Sequence, residues 1–435
     1  MGRRGASDEA PYRRDGRGRS RMSIMNRWTA AVAAVVMQLG LGSLYAWSVF
    51  RQPLSAHYGA SVTSVNVTFF VAIFVFGIST LAAGLLLRHV GPRFVGVAGG
   101  VLFGTGVFLS AFAEGSLAFL YFTYGIVAAV GGGLGYIVPV AVLPKWFPDR
   151  PGLAYGLAVV GFGIGPVINV PLISTILSAT GGPFRTFAIL GISYAVMIGA
   201  AAWFVRNPLK EREPQDSERR DQVDEKPVGT SYYLRGALGT WQWYALWVVF
   251  LLNTTAGVAV YSDAKAMAGS IGGATAAVAS GFVMIVAVSD TAGRLVWPVL
   301  SDKIGGANVF LAMFLVQAAA FLLMPVLGAG SFALFCVLAS AVASCYGGGY
   351  ATMSALTAAY YGTRDIGTIY GGILTASSVA GFGAPLLLAR SADVTGSYDL
   401  ALYATGGLML IGTIIPLALK SPRPARQSPR RRGPM

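Results

Sequence analysis

Two charged residues lie where a charge is least expected. Asp290 and Arg294 sit four positions apart inside residues 281–300, a stretch that otherwise has the composition of a membrane helix. A charge at bilayer depth costs about 2.5–3.5 kcal/mol on insertion scales, so such a residue normally faces a bundle interior or a wet cavity. The i, i+4 spacing puts both groups on one helix face, where each offsets the cost of the other. A guanidinium held at depth can take a small anion in its planar fork. The carboxylate beside it can carry a proton. The pair reads as an anion site with a proton handle. The alternative is a structural ion pair that locks two helices together.

Aromatic residues supply further candidates. Tyr346 and Tyr350 flank Gly347, Gly348 and Gly349. They share a helix face, and the glycines remove bulk between them. A phenol packs on an apolar tail and donates to a carboxylate; the competing reading is close helix packing. Tyr136 follows the glycine-rich run 131–135, which gives it room to face a cavity. No strand or βαβ unit surrounds that run, so it is not a dinucleotide fingerprint. Tyr45 and Trp47 are similar candidates, with Trp47 alternatively an interfacial anchor. Gln38, Asn66, Asn169, Asn253 and Gln317 read as interhelical hydrogen-bond partners.

Enzyme signatures are missing. The two histidines, His57 and His89, are expected in loops on opposite sides of the membrane. No Ser/His/Asp set, P-loop or metal-ligand spacing is visible, so the sequence implies no enzyme and no cofactor. Cys336 and Cys345 lie in apolar stretches and read as small buried hydrophobes.

The elements that must position these residues follow from composition. Of 435 residues, 55% are hydrophobic and 11% charged, against about 25% charged in a soluble domain. The chain reads as an all-α polytopic membrane protein. Twelve apolar runs of spanning length begin near Trp28, Ser64, Phe94, Leu117, Gly152 and Thr186, then near Trp241, Thr275, Val309, Phe332, Ile366 and Leu400. Five segments are expected: a basic tail (1–27), a six-helix bundle (28–205), a charged linker (206–239), a second six-helix bundle (240–419) and a basic tail (420–435). The net charge of +14 sits mainly in the tails and short loops. That is the signature of cytoplasmic segments rather than of nucleic-acid binding. Both termini are therefore expected in the cytoplasm of a bacterial cell, with the helices in its inner membrane. The loop 88–93 after the second run and the loop 301–306 after the eighth are both short, basic and glycine-bearing. Duplicated halves of this kind suit an alternating-access carrier with its site at the midplane.

The stretches 42–54, 135–152 and 293–305 resemble the major facilitator superfamily. Within it they are similar to the oxalate:formate antiporter and monocarboxylate transporter group. The likeness runs over about residues 25–419. It implies a carboxylate-binding arginine at Arg294, a binding tyrosine at Tyr136 and paired aromatics at Tyr346 and Tyr350. Three departures matter. Ser377 stands where oxalate carriers have a lysine, which removes a second cation from the site. Asp290 is the acid expected of proton-coupled monocarboxylate carriers, where the antiporters more often have an amide. Arg88 stands where the superfamily usually has an aspartate, which puts the gating contact of that loop in doubt.

The resulting expectation is a secondary transporter of a small organic monocarboxylate, such as lactate, pyruvate or formate, coupled to a proton. Arg294 would bind the carboxylate, with Tyr136, Tyr346, Tyr350, Tyr45 and Ser377 around it and Asp290 handling the proton. The expected partners are the anion, the proton and the lipid bilayer, with the protein a monomer. The alternatives are oxalate:formate-type anion exchange and, in a different class, a non-transporting membrane sensor.

Overall fold

The computed structural model describes residues 17–208, 232–328, 330–395 and 397–422. Residues 209–231 of the expected linker and most of both tails lie outside the described residues. Every regular element among the described residues is helical.

Among the described residues, eleven helices are long and apolar enough to cross a membrane. They are spans 1–6 (Arg27–Tyr58, Val62–Val90, Pro92–Phe112, Leu117–Trp146, Pro151–Thr180, Pro183–Phe204), spans 7–10 (Trp241–Tyr261, Gly281–Ile304, Gly306–Gly328, Phe332–Tyr361) and span 12 (Asp399–Ala418). Span 11 is the helix Ile366–Thr395, with its apolar part at Ile366–Gly381. The starts fall within a few residues of those read from the sequence, because proline and glycine mark them. Pro92, Pro151 and Pro183 occupy first turns, where a missing N–H costs nothing. The turn after span 2 is made by Gly91 (φ 81°) and the turn after span 8 by Gly305 (φ 85°). The two halves thus turn with the same left-handed glycine geometry at equivalent places.

His57 and His89 are not in loops. Each occupies the last turn of a helix, His57 in Ser48–Tyr58 and His89 in Val62–Val90. The helix signal carries on through both, since neither is followed by a breaker until Gly59 or Gly91.

Span 1 is not one continuous α-helix. A 3₁₀ segment, Gly42–Trp47, joins Arg17–Leu41 to Ser48–Tyr58. Gly42 and Gly165 pack backbone to backbone there, so span 5 lies directly against the tightened turn. Tyr45 is carried on that turn.

Contacts fix which helix ends share a face. Arg27 at the start of span 1 bonds Asp149 after span 4 at 3.3 Å. Trp146 donates to the Arg206 carbonyl after span 6 at 2.7 Å. Gln242 at the start of span 7 donates to the Lys420 carbonyl after span 12 at 3.3 Å. The Tyr232 N–H donates to the carbonyl of Tyr361 at the end of span 10 at 2.9 Å. All these ends lie on the face that bears the described ends of the chain, called here the terminal face.

The halves meet mainly through spans 2 and 11 and through spans 5 and 8. Small residues allow this. Gly84 lies against the backbone of Gly367 and Thr368, and Gly371 against the backbone of Thr80. Thr80 donates to the Gly371 carbonyl at 3.3 Å, and Ser378 to the Phe74 carbonyl at 3.0 Å.

Candidate functional site

Arg294 and Asp290 are 2% and 3% exposed. The arginine grips its neighbour with both prongs: Nε donates to Asp290 Oδ2 at 3.0 Å and Nη2 to Oδ1 at 3.3 Å. The remaining amine, Nη1, reaches the Val159 carbonyl of span 5 at 3.5 Å. The guanidinium also lies over two rings, Tyr350 at 5.2 Å and Phe162 at 5.8 Å. Each contact is attractive for a cation in low dielectric.

Glycines make the space. A Cβ at Gly163 of span 5 would come within 2.7 Å of Arg294 Nε and 2.8 Å of Asp290 Oδ2. A Cβ at Gly347 of span 10 would strike the Asp290 carboxylate and carbonyl. The pair is thus flanked by a bare backbone from each half. This changes the reading of the glycine triplet. Gly347 faces Asp290, Gly348 faces Trp297 and Gly349 faces Asn253. These glycines admit neighbouring helices rather than open room between the two tyrosines. The Tyr346 and Tyr350 rings in fact touch edge to face at 5.3 Å.

A chain of phenols crosses the boundary between the halves. Tyr45 of span 1 and Tyr346 of span 10 bring their hydroxyls to 2.7 Å, and Tyr346 and Tyr350 to 3.3 Å. Tyr370 of span 11 donates to the Tyr350 carbonyl at 2.8 Å, fixing that turn. On the other side, Tyr136 packs edge-on to Phe162 at 5.2 Å and to Phe76 at 5.4 Å. Its hydroxyl is buried beside the Arg294 guanidinium and the Tyr370 hydroxyl, with no hydrogen bond of good geometry among the described residues. A buried phenol without a partner costs about 1–3 kcal/mol, so a ligand that accepts from it gains. Gln38 holds the backbone beneath, donating to the carbonyls of Tyr136 (3.2 Å) and Ala158 (2.7 Å).

The structure therefore brings Arg294, Asp290, Tyr136, Tyr346 and Tyr350 into one buried cluster, with the half-buried Tyr45 at its edge. Ser377 is buried but turned to its own helix, donating to the Leu374 carbonyl at 2.6 Å. Among the described residues no hydrogen bond ties it to Arg294. Trp47 is no interfacial anchor: it is buried, with its ring 4.7 Å from Tyr124. Asn66 is half-buried, whereas Asn253 accepts from Gln317 at 3.2 Å as an interhelical pair. Phe162, Phe76, Tyr261 and Gly163 belong to the cluster and were not singled out in the sequence. The run Gly161–Phe162–Gly163–Ile164–Gly165 was the available signal for two of them.

Towards the terminal face the halves are tied again. Arg88 forks onto Asp365 with Nε and Nη2. Asp365 also accepts from the Leu234 N–H at 3.0 Å and from the Thr368 hydroxyl at 2.7 Å. On the neighbouring pair of helices, the Gly152 N–H donates to both oxygens of Asp302, at 3.1 and 3.0 Å. Arg88, whose presence put the gating contact of its loop in doubt, makes a contact of the opposite polarity: the cation comes from the first half and the acid from the second.

The family model of the Major Facilitator Superfamily matches residues 28–289. The chain belongs to this superfamily. It is 30% identical to the uncharacterized MFS-type transporter YhjX of Escherichia coli (strain K12), over 79% of this chain and 83% of that one. It is 27% identical to the oxalate:formate antiporter of Oxalobacter formigenes, over 83% and 84%. Its place is with the oxalate:formate antiporter and monocarboxylate transporter branches, at moderate identity. The fold matches the crystal structure of the transporter FucP in the outward conformation, with a TM-score of 0.66 at 14% identity, covering 90% of this chain and 98% of that one. This MFS protein is a secondary-active, multi-pass membrane transporter and not an enzyme.

Proposed function

We propose that the protein carries a small organic monocarboxylate together with a proton. One observation supports the reading above the others: the buried fork of Arg294 is closed on a carboxylate four residues away on its own helix. The pair is neutral as it stands. Protonating Asp290 releases the fork, and an incoming carboxylate takes the place of the Asp290 oxygens. The site then holds Arg⁺, an anion and a neutral acid, so its net charge changes by nothing. An electroneutral exchange of partners avoids leaving an unpaired charge at depth, which costs several kcal/mol. Proton and anion affinities rise together, and by linkage each raises the other by the same factor. Lower pH on the loading side should therefore tighten anion binding.

The remaining cluster serves orientation in this reading. Tyr136 offers its unpartnered hydroxyl, Tyr45 and Tyr346 close over the site from opposite halves, and the rings of Phe76, Phe162 and Tyr261 surround the apolar tail. Rocking of the halves would break Tyr45–Tyr346 while leaving the fork intact on span 8. The terminal face carries Arg27, Arg88, Arg93, Lys145, Arg150 and Arg206, and we place it in the cytoplasm of a bacterial inner membrane.

Uptake into proteoliposomes tests the reading. Wild-type protein should accumulate labelled lactate or formate under an inward proton gradient with no anion inside. Asp290→Asn should lose gradient-driven accumulation yet keep exchange of labelled for unlabelled anion. Wild-type accumulation by Asp290→Asn would make Asp290 structural. The likeness to an oxalate:formate antiporter favours a second reading, obligatory exchange. A strict need for anion inside the liposomes would establish it.

A further inference from the structure

Away from the central cluster, a pocket of about 160 Å³ opens at the terminal face. It is lined by Thr29, Arg93, Trp146, Trp203, Phe204 and Arg206. Four chain segments build it: the first turns of spans 1 and 3, the last turn of span 4, and the end of span 6 with the residues just after it. All four belong to the first half, so the pocket does not depend on how the halves are disposed.

Its chemistry is that of an anion site at a membrane surface. Among the described residues, neither Arg93 nor Arg206 is paired with a carboxylate. Arg93 lies over the Trp203 ring at 4.8 Å, yet its Nε is buried and has no hydrogen-bond acceptor. A ring face satisfies the charge and leaves the N–H unmet. Arg206 is pinned from behind, because its carbonyl accepts from Trp146 Nε1 at 2.7 Å. The surround is apolar and exposed: Trp28, Phe94, Trp203 and Phe204 are each about half or more exposed. Aromatic rings at span ends mark the headgroup level of a bilayer, and arginines there meet phosphate oxygens in their forks.

We propose that this pocket binds the phosphodiester headgroup of an anionic phospholipid in the leaflet at the terminal face. Arg93 and Arg206 hold the phosphate oxygens, and the Trp203 and Phe204 rings lie along the upper acyl chains. A free phosphate would find the two cations but no use for the exposed rings. The inference is independent of the transported substrate.

Native mass spectrometry of the purified full chain tests it, with phosphatidylglycerol, phosphatidylcholine and inorganic phosphate as the probes. Wild-type protein should bind phosphatidylglycerol at least about tenfold more tightly than phosphatidylcholine, and each of Arg93→Gln and Arg206→Gln should erase most of that preference. Arg185→Gln, on the opposite face, should leave it unchanged. A preference undiminished in Arg93→Gln/Arg206→Gln would overturn the assignment. Competition by inorganic phosphate at equal concentration would overturn the lipid as its ligand. A measurement without variants guards against misfolding. Wild-type protein in phosphatidylglycerol nanodiscs should show slower amide exchange at 93–97 and 203–207 than in phosphatidylcholine nanodiscs. Equal exchange in the two would count against the site.

Discussion

Asp290–Arg294 and Arg88–Asp365 are both two-pronged contacts between an arginine and a carboxylate, but they are strung differently. The first lies within one helix, four residues apart, and is almost wholly buried. The second joins span 2 to the turn before span 11, across the two halves, with Arg88 about a third exposed. An intrahelical pair cannot hold the halves together, so motion of the halves leaves it whole. A cross-half pair must break whenever the terminal face opens. In the proposed function the inner pair responds to ligand and proton, and the outer pair to conformation. Asp302 extends the outer contact, since it grips a backbone N–H of span 5, which needs no matching side chain.

The largest expected effect comes from cutting the inner pair. Arg294→Ala leaves Asp290 buried without its cation, a loss of about 3–5 kcal/mol if the acid stays ionised. Transport should fall below detection, with a lower unfolding temperature at neutral pH that recovers in part at acid pH. Arg294→Lys should lose most transport too, because a compact ammonium cannot fill a fork. Near-normal uptake by well-folded Arg294→Ala would end the assignment of the inner pair to the anion.

The outer pair should give a smaller effect of another kind. Arg88→Gln and Asp365→Asn should each leave anion binding intact while raising amide exchange at 363–368 and 148–152. The double variant should be no worse than the worse single, since both remove one interaction; a coupling of about 0.5–3 kcal/mol is typical of touching residues. Fully additive effects would mean that the two residues act separately. Gly84→Ala sharpens the same point by wedge rather than by charge. Its methyl meets backbone at Gly367 and Thr368, which no rotamer change relieves. It should open the terminal face as Arg88→Gln does, and unchanged exchange there would show that span 2 can slide past span 11.

The difference between the pairs also marks how far the sequence could be read. Composition revealed the start of each spanning helix to within a few residues, because a membrane forces each span to be long and apolar; the short helix Leu234–Leu238 and the break in span 1 carried no such signal. The inner pair was legible because its partners are local. The outer pair was not: nothing in the spacing of Arg88 and Asp365, 277 residues apart, announces a contact. Arg88 could be recognised only as a departure. The same limit hid Phe162, one phenylalanine among 24, and left the glycine triplet between two readings, of which close helix packing against spans 7 and 8 is the one seen. Ser377 was placed by analogy alone, and its hydroxyl is satisfied within its own helix.

Ser377 supplies the smallest effect and the finest test of the inner pair. Arg294 already has a carboxylate on its own helix, and among the described residues no second cation is buried with it. A single carboxylate can replace Asp290 once that acid is protonated, but the second carboxylate of oxalate would enter unpaired and desolvated. Unlabelled lactate or formate should therefore compete better than oxalate or malonate for uptake of labelled lactate. Ser377→Lys should move the ratio towards the dicarboxylates by no more than about tenfold, the worth of one charge-assisted contact. The serine hydroxyl is turned to the Leu374 carbonyl of its own helix, and a lysine there would give up that bond. No shift would mean that position 377 does not face the anion. If oxalate outcompetes every monocarboxylate in the unmodified protein, the site has a second cation, the inner pair is not its whole charge inventory, and exchange of dicarboxylates becomes the better account of this transporter.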